Sequence, residues 1–158
     1  MSRERIEWVL QALDSRSQWF GGPSPAGSLR GVAYEIAARR PDGFAHCIWE
    51  LALHIAYWEY AVRRALQDGA RGGFSRKPSN WPAMPETLNA DTWKADRRLV
   101  TQEREALVEA IRKLPVKRLD EQASAMSKNT TMQLLIGVVQ HSVYHTGQIA
   151  LLKRWATP

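Results

Sequence analysis

Apolar residues recur at three- and four-residue steps in four stretches of the chain, the period of one helical face, and nowhere is there sustained strand-type alternation. The first stretch covers residues 3 to about 14 and sets Ile6, Val9, Leu10 and Leu13 on one side. GGPSPAGS interrupts it, and a helix resumes with Ser28 as N-cap and runs to Arg40, just before Pro41. The second helix is predicted over residues 44–68, with Ile48, Leu51, Ile55, Trp58, Val62 and Leu66 inward, and stops at Gly69. The third spans residues 91–114, with Leu99, Val100, Leu107, Ile111 and Leu114 inward, and ends at Pro115. The fourth follows the polar run SKNTT and reaches Trp155, with Leu134, Leu135, Val138, Ile149 and Leu152 inward.

Between helices two and three lies GARGGFSRKPSNWPAMPETLN, a Gly/Pro-rich connection of a length that is uncommon in compact domains and often functional. At roughly 3.3 Å per extended residue it can cross from one end of a bundle to the other, so helices two and three could run parallel. The fold class expected is all-α, a four-helix bundle in one domain over residues 1–158, with a core sufficient without disulfides.

Composition narrows the function classes. The net charge is +6, which invites a nucleic-acid reading. Residues 1–80 and 81–158 each hold 11 Lys+Arg against 8 Asp+Glu, so the excess forms no basic arm and fits solvated helix faces; no nucleic-acid partner is expected. The single cysteine, Cys47, excludes an intrachain disulfide and fits a reducing compartment. The charged N-terminal stretch has neither a signal-peptide apolar core nor a spanning helix, so a cytoplasmic location away from membranes is expected.

The candidate chemistry sits in QHSVYHTGQIALLKRW, residues 140–155. His141 and His145 are one helical turn apart on the stripe that carries Leu134, Val138 and Leu152, a spacing that suits two ligands of one ion. His54 lies beside the inward stripe of helix two and reaches the same height if helices two and four are antiparallel neighbours. Three imidazoles buried at one level are explained by a shared cation or by separate hydrogen bonds in the core. Three histidine ligands would leave a position open for water or substrate, and imidazole suits zinc, nickel, copper or iron. Glu50, one turn before His54, could orient it or act as a base, and is as readily a surface carboxylate. His46 is expected at the surface, roughly 12 Å along the axis from His54.

The segment ARRPDGFAHCIWELALHIAYWEYAVRRAL, followed by NWPAMPE, ADTWKAD and GVVQHSVYHTGQIALLKR, resembles the DinB-like superfamily of small four-helix proteins over nearly the whole chain. The pattern carried by His141, Tyr144, His145, Gly147, Gln148 and Ile149 is its most specific part. The resemblance implies up-down-down-up topology with a long crossover loop, a homodimer, and a divalent metal, nickel or zinc, on His54, His141 and His145. Members of that superfamily include bacillithiol S-transferases and mycothiol-dependent isomerases. It therefore implies a metal-dependent enzyme acting on a small molecule, through activation of a low-molecular-weight thiol or through hydrolysis. A non-catalytic metal- or ligand-binding protein is the alternative from another class. Many relatives carry Ser where this chain has Cys47, a weaker helix cap.

Further candidates flank the histidines, and a cavity is expected to open between helices two and four. Tyr144 could hydrogen-bond a substrate or pack in a groove; Gln148 could line the pocket or be a core amide. Glu103 could be a pocket base or an edge carboxylate, and Trp81 could roof the pocket or fill the bundle edge. Arg71, Arg76 and Lys77 could attract an acidic thiol or belong to a solvated loop. Cys47 has no histidine placed to activate it and reads as a packing residue.

Overall fold

A computed structural model describes residues 3–13, 23–68, 73–124 and 127–156. The named elements among them are helical: α1 (Glu4–Leu13), α2 (Pro25–Ser28), α3 (Tyr34–Ala38), α4 (Ile48–Leu66), α5 (Ala90–Arg112) and α6 (Thr131–Ala156), with a 3-10 turn at Val116–Asp120 before α6. The long helices form where apolar residues keep the helical period, and their ends are built by local chemistry. Asn89 caps α5, its side chain accepting from the Thr92 N–H at 2.9 Å while the Thr92 hydroxyl accepts from the Asn89 N–H. At α4 the Glu50 carboxylate accepts the Cys47 N–H at 2.9 Å, so the return arm of a capping box compensates for the weak cysteine cap.

Two apolar clusters fill the bundle. One joins Leu51 and Ile55 of α4 to Trp93 and Val100 of α5 and Ile149 and Leu152 of α6. The other joins Val62 and Leu66 to Leu107 and Ile111, Leu135 and Val138, and closes over Ile6 and Val9 of α1. The early part of α4 thus meets the early part of α5 and the late part of α6, so α4 runs with α5 and against α6. Each such side chain taken out of water contributes about 1.5–3 kcal/mol, which is why the stripes dictate the packing.

Several boundaries differ from the sequence expectation. Ser28 ends a short helix rather than starting a long one; Ser24 caps it, and Gly31 at φ 72° breaks the chain before α3. Helix two begins at Ile48 rather than 44, because Gly43 at φ 81° turns the backbone ahead of it. Trp58, expected inward, is half-exposed at the bundle rim, while Leu99 and Leu134 are only partly buried. Asp14, the expected end of the first helix, lies outside the described residues, as does Arg71.

The connection from α4 to α5 is helix-free where it is described and is pinned to the bundle. Arg76 donates to the buried Asp96 carboxylate at 2.6 and 3.0 Å, and Trp49 Nε1 donates to its other oxygen at 2.8 Å. Arg76, expected to serve a ligand or the solvent, therefore fastens the connection. No described helix is long and apolar enough to cross a membrane.

Candidate metal centre

The antiparallel packing of α4 on α6 brings His54, His141 and His145 together, with one ring nitrogen from each lying within 4.8 Å of the others. Among the described residues this is the one cluster of His, Cys, Asp and Glu so arranged. His54 and His145 are buried and His141 partly so. The His54 and His141 Nε2 atoms face each other at 3.0 Å.

Hydrogen bonds decide where the protons sit. His54 Nδ1 faces the Asn80 carbonyl, which can only accept, so the proton is on Nδ1 and Nε2 offers a lone pair. His145 Nδ1 likewise donates to Gln148 Oε1 at 2.6 Å, leaving its Nε2 bare. With no proton on His54 Nε2, the 3.0 Å contact needs the proton of His141 on Nε2. Its buried Nδ1 then has no partner, a cost of about 1–3 kcal/mol.

Burial, with each ring's neighbouring histidines, pushes His54 and His141 down to about 4, and burial lowers His145 also. All three imidazoles are therefore neutral at physiological pH, the form that ligates metals. Convergent neutral nitrogens, two with tautomers already set by partners on their far sides, are a donor set that fits a divalent cation.

Around the rings the structure sorts the remaining candidates. Gln148 donates from Nε2 to the Tyr144 hydroxyl at 3.2 Å, so Tyr144, Gln148 and His145 form one chain ending at the cluster. Tyr144 is exposed and sets its ring edge-on to His145 at 4.9 Å. Trp81 does roof the site: its ring stacks on His54 at 3.7 Å and on His46 at 3.6 Å. His46, expected at the surface and remote, is half-buried in that stack because the loop tryptophan bridges the two turns between it and His54.

Glu50 is engaged by Arg40 and the Cys47 N–H, with His46 Nδ1 at 3.7 Å, and so serves the helix start. Glu103 pairs with Arg63 at 2.9 Å. Cys47 is fully buried against Met84 Sδ at 3.7 Å, and burial pushes its thiol up to about 11, as expected of a packing residue.

A space of about 780 Å³ opens between the α2–α3 segment and α5, lined by Leu29, Val32, Trp93 and Arg97 among others, and none of the three histidines borders it.

The sequence reading missed two groups. Asn80, in the left-handed region at φ 69°, presents its carbonyl to His54 and its side-chain oxygen to Trp58 Nε1 at 2.9 Å. Glu59, buried beneath the site, accepts from Arg104 and from Ser142 Oγ at 3.1 Å. An asparagine in a polar loop signals a turn but not the ring its carbonyl will meet. The second Glu of WELALHIAYWE was visible in the pattern, but its partners lie 45 and 83 positions away.

A model of the DinB superfamily matches residues 27–149, and so spans all three histidines. The chain belongs to the DinB superfamily. No curated protein and no solved structure compared with it gives a match. In this DinB chain the matched region takes in α3 to α5 whole, together with the Asn80–Trp81 turn that supports and covers the cluster.

Proposed function

We propose that the protein is a metal-dependent enzyme of thiol S-transferase type, holding nickel or zinc on His54, His141 and His145 and acting on a small molecule. The observation that carries this reading is the meeting of three neutral imidazoles from two antiparallel helices, with no fourth His, Cys, Asp or Glu beside them among the described residues. A divalent cation bound there would lower the pKa of a thiol or water and supply an anionic nucleophile near neutral pH.

The surrounding carboxylates favour a thiol over water. Activating water benefits from a nearby general base, and Glu50 is held at the start of α4 while Glu59 is buried against Arg104. A thiol is already acidic enough, at about 8.5, to give up its proton to solvent with modest help. Trp81 offers an aromatic wall over the rings, and the Tyr144 hydroxyl stands exposed at the edge, where a substrate's polar group can reach it. Hydrolysis and metal storage without turnover are the competing outcomes.

The reading extends to the whole chain. The four long helices are inferred to follow the superfamily's up-down-down-up order in a single domain in the cytoplasm. A homodimer would use the exposed apolar side chains of α6, Ile136, Val143 and Leu151.

Elemental analysis of the purified protein, beside the His141→Ala, His145→Ala double variant, is the test. About one nickel or zinc per chain, lost in the variant, and thiol consumption requiring both metal and an electrophile are expected. Turnover without thiol would make it a hydrolase; metal without turnover, a binding protein; no metal after reconstitution would remove the site.

A further inference from the structure

We infer that Asn80 is a positioning residue for the cluster: its main-chain carbonyl, delivered by a left-handed turn, selects the tautomer of His54 that leaves Nε2 free for the ion. The inference rests on the metal reading of the same site and adds to it a support outside the two ligand helices.

The argument begins with the backbone. Asn80 sits at φ 69°, a conformation open to glycine and tolerated by asparagine but costly for other residues, above all β-branched ones. In that conformation its carbonyl meets His54 Nδ1 and its side-chain Oδ1 accepts from Trp58 Nε1 at 2.9 Å. His54 and Trp58 lie one turn apart on α4, so the residue grips the same helix at two successive levels. The turn is braced on both sides. Trp81 N–H donates to the Ser79 carbonyl at 2.8 Å, Ala83 N–H donates to the Lys77 carbonyl at 2.8 Å, and Trp81 stacks on the His54 ring. Farther out, Arg76 on Asp96 ties the same segment to α5.

A free imidazole exchanges its proton between two nitrogens, and only one form presents Nε2. A carbonyl fixed at Nδ1 removes the choice, stops the ring turning and makes the opposite nitrogen a better donor. Gln148 does this for His145 from within α6. His54 has no such neighbour on its own helix, and the connection between α4 and α5 provides one. His141 has neither, so its proton is the one that must move when a cation arrives.

The test pairs Asn80→Gly, which keeps the left-handed turn and its carbonyl, with Asn80→Val, which disfavours the turn. Two readouts are taken: the His54 tautomer by nitrogen-15 NMR of the metal-free protein, and zinc affinity by competition with a chelator. Wild type and Asn80→Gly should both carry the proton on Nδ1 and bind zinc within a few-fold of each other. Asn80→Val should show a mixed tautomer and about 10–100-fold weaker zinc binding, the usual effect of losing a partner behind a ligand. Wild-type tautomer and affinity in Asn80→Val would overturn the inference, as would equal losses in both variants.

If Asn80→Val does not fold, Asn80→Ala decides. Like glycine it lacks the side-chain grip on Trp58, but its Cβ makes the left-handed turn costlier, so a His54 tautomer and zinc affinity equal to those of Asn80→Gly overturn the inference. A wild-type protein that binds no zinc while its His54 proton rests on Nδ1 would sink the metal reading alone, so the two failures are distinguishable.

Discussion

Cys47 is the residue a sequence search for nucleophiles notices first, and its surroundings disarm it. Its thiol is fully buried and ionises near 11 rather than 9, because burial opposes the thiolate. Alkylation by iodoacetamide at pH 8 is therefore expected to be no faster than unfolding, and rapid labelling of the native protein would show the burial to be wrong. The sign on stability follows: the thiol of the unfolded chain ionises near 9 and that of the folded chain near 11, so its contribution is complete below pH 9 and is lost as pH rises through 11. Residue type and spacing sufficed to judge this cysteine and to pick His54, His141 and His145. They did not reveal the support for His54, because Asn80 lies 26 positions away in a loop without a period.

Among the helices, register is held by charge as well as by apolar fit. Glu59 of α4 is fully buried and meets Arg104 of α5 and Ser142 of α6, and Arg104 also donates to the Leu13 carbonyl at the end of α1 at 3.4 Å. Burial alone would drive the Glu59 carboxyl upward, and the guanidinium and the Ser142 hydroxyl oppose that. Removing one partner of a buried pair strands the other. Arg104→Met is expected to cost about 3–5 kcal/mol in chemical denaturation, whereas the Glu59→Leu, Arg104→Met pair should recover much of the loss. Equal destabilisation by the single and double variants would show that the charges are not coupled. The helices themselves were legible from their period. Their starts were not, because Gly31 and Gly43 in left-handed conformations and the cap at Cys47 override a pattern that continues past them.

For the molecule as a whole, gathering three imidazoles in one place makes the metal-free fold sensitive to acid. In the folded protein His54 and His141 protonate near 4, in the unfolded chain near 6.5. Between those values the unfolded chain binds more protons, so stability falls as pH drops from 6.5 towards 4 and this contribution is flat below. The melting temperature of the metal-free protein should decline over that window more steeply than that of a His54→Gln, His141→Gln variant. Parallel declines would mean that the rings are not held neutral by the fold.

The sequence by itself determined an all-helical chain, the stripes that face inward, and the three histidines able to share an ion. These depend on local periods, and a period of 3.6 residues is written into a few turns of chain. Only the tertiary structure decided that α4 runs with α5 and against α6, that Trp81 lies between His46 and His54, that Arg76 is a fastening, and that a cavity opens between the α2–α3 segment and α5, away from the histidines. Those features join residues tens of positions apart through a connection with no repeating pattern. Their partners are chosen by how packed helices leave carbonyls, rings and charges facing one another.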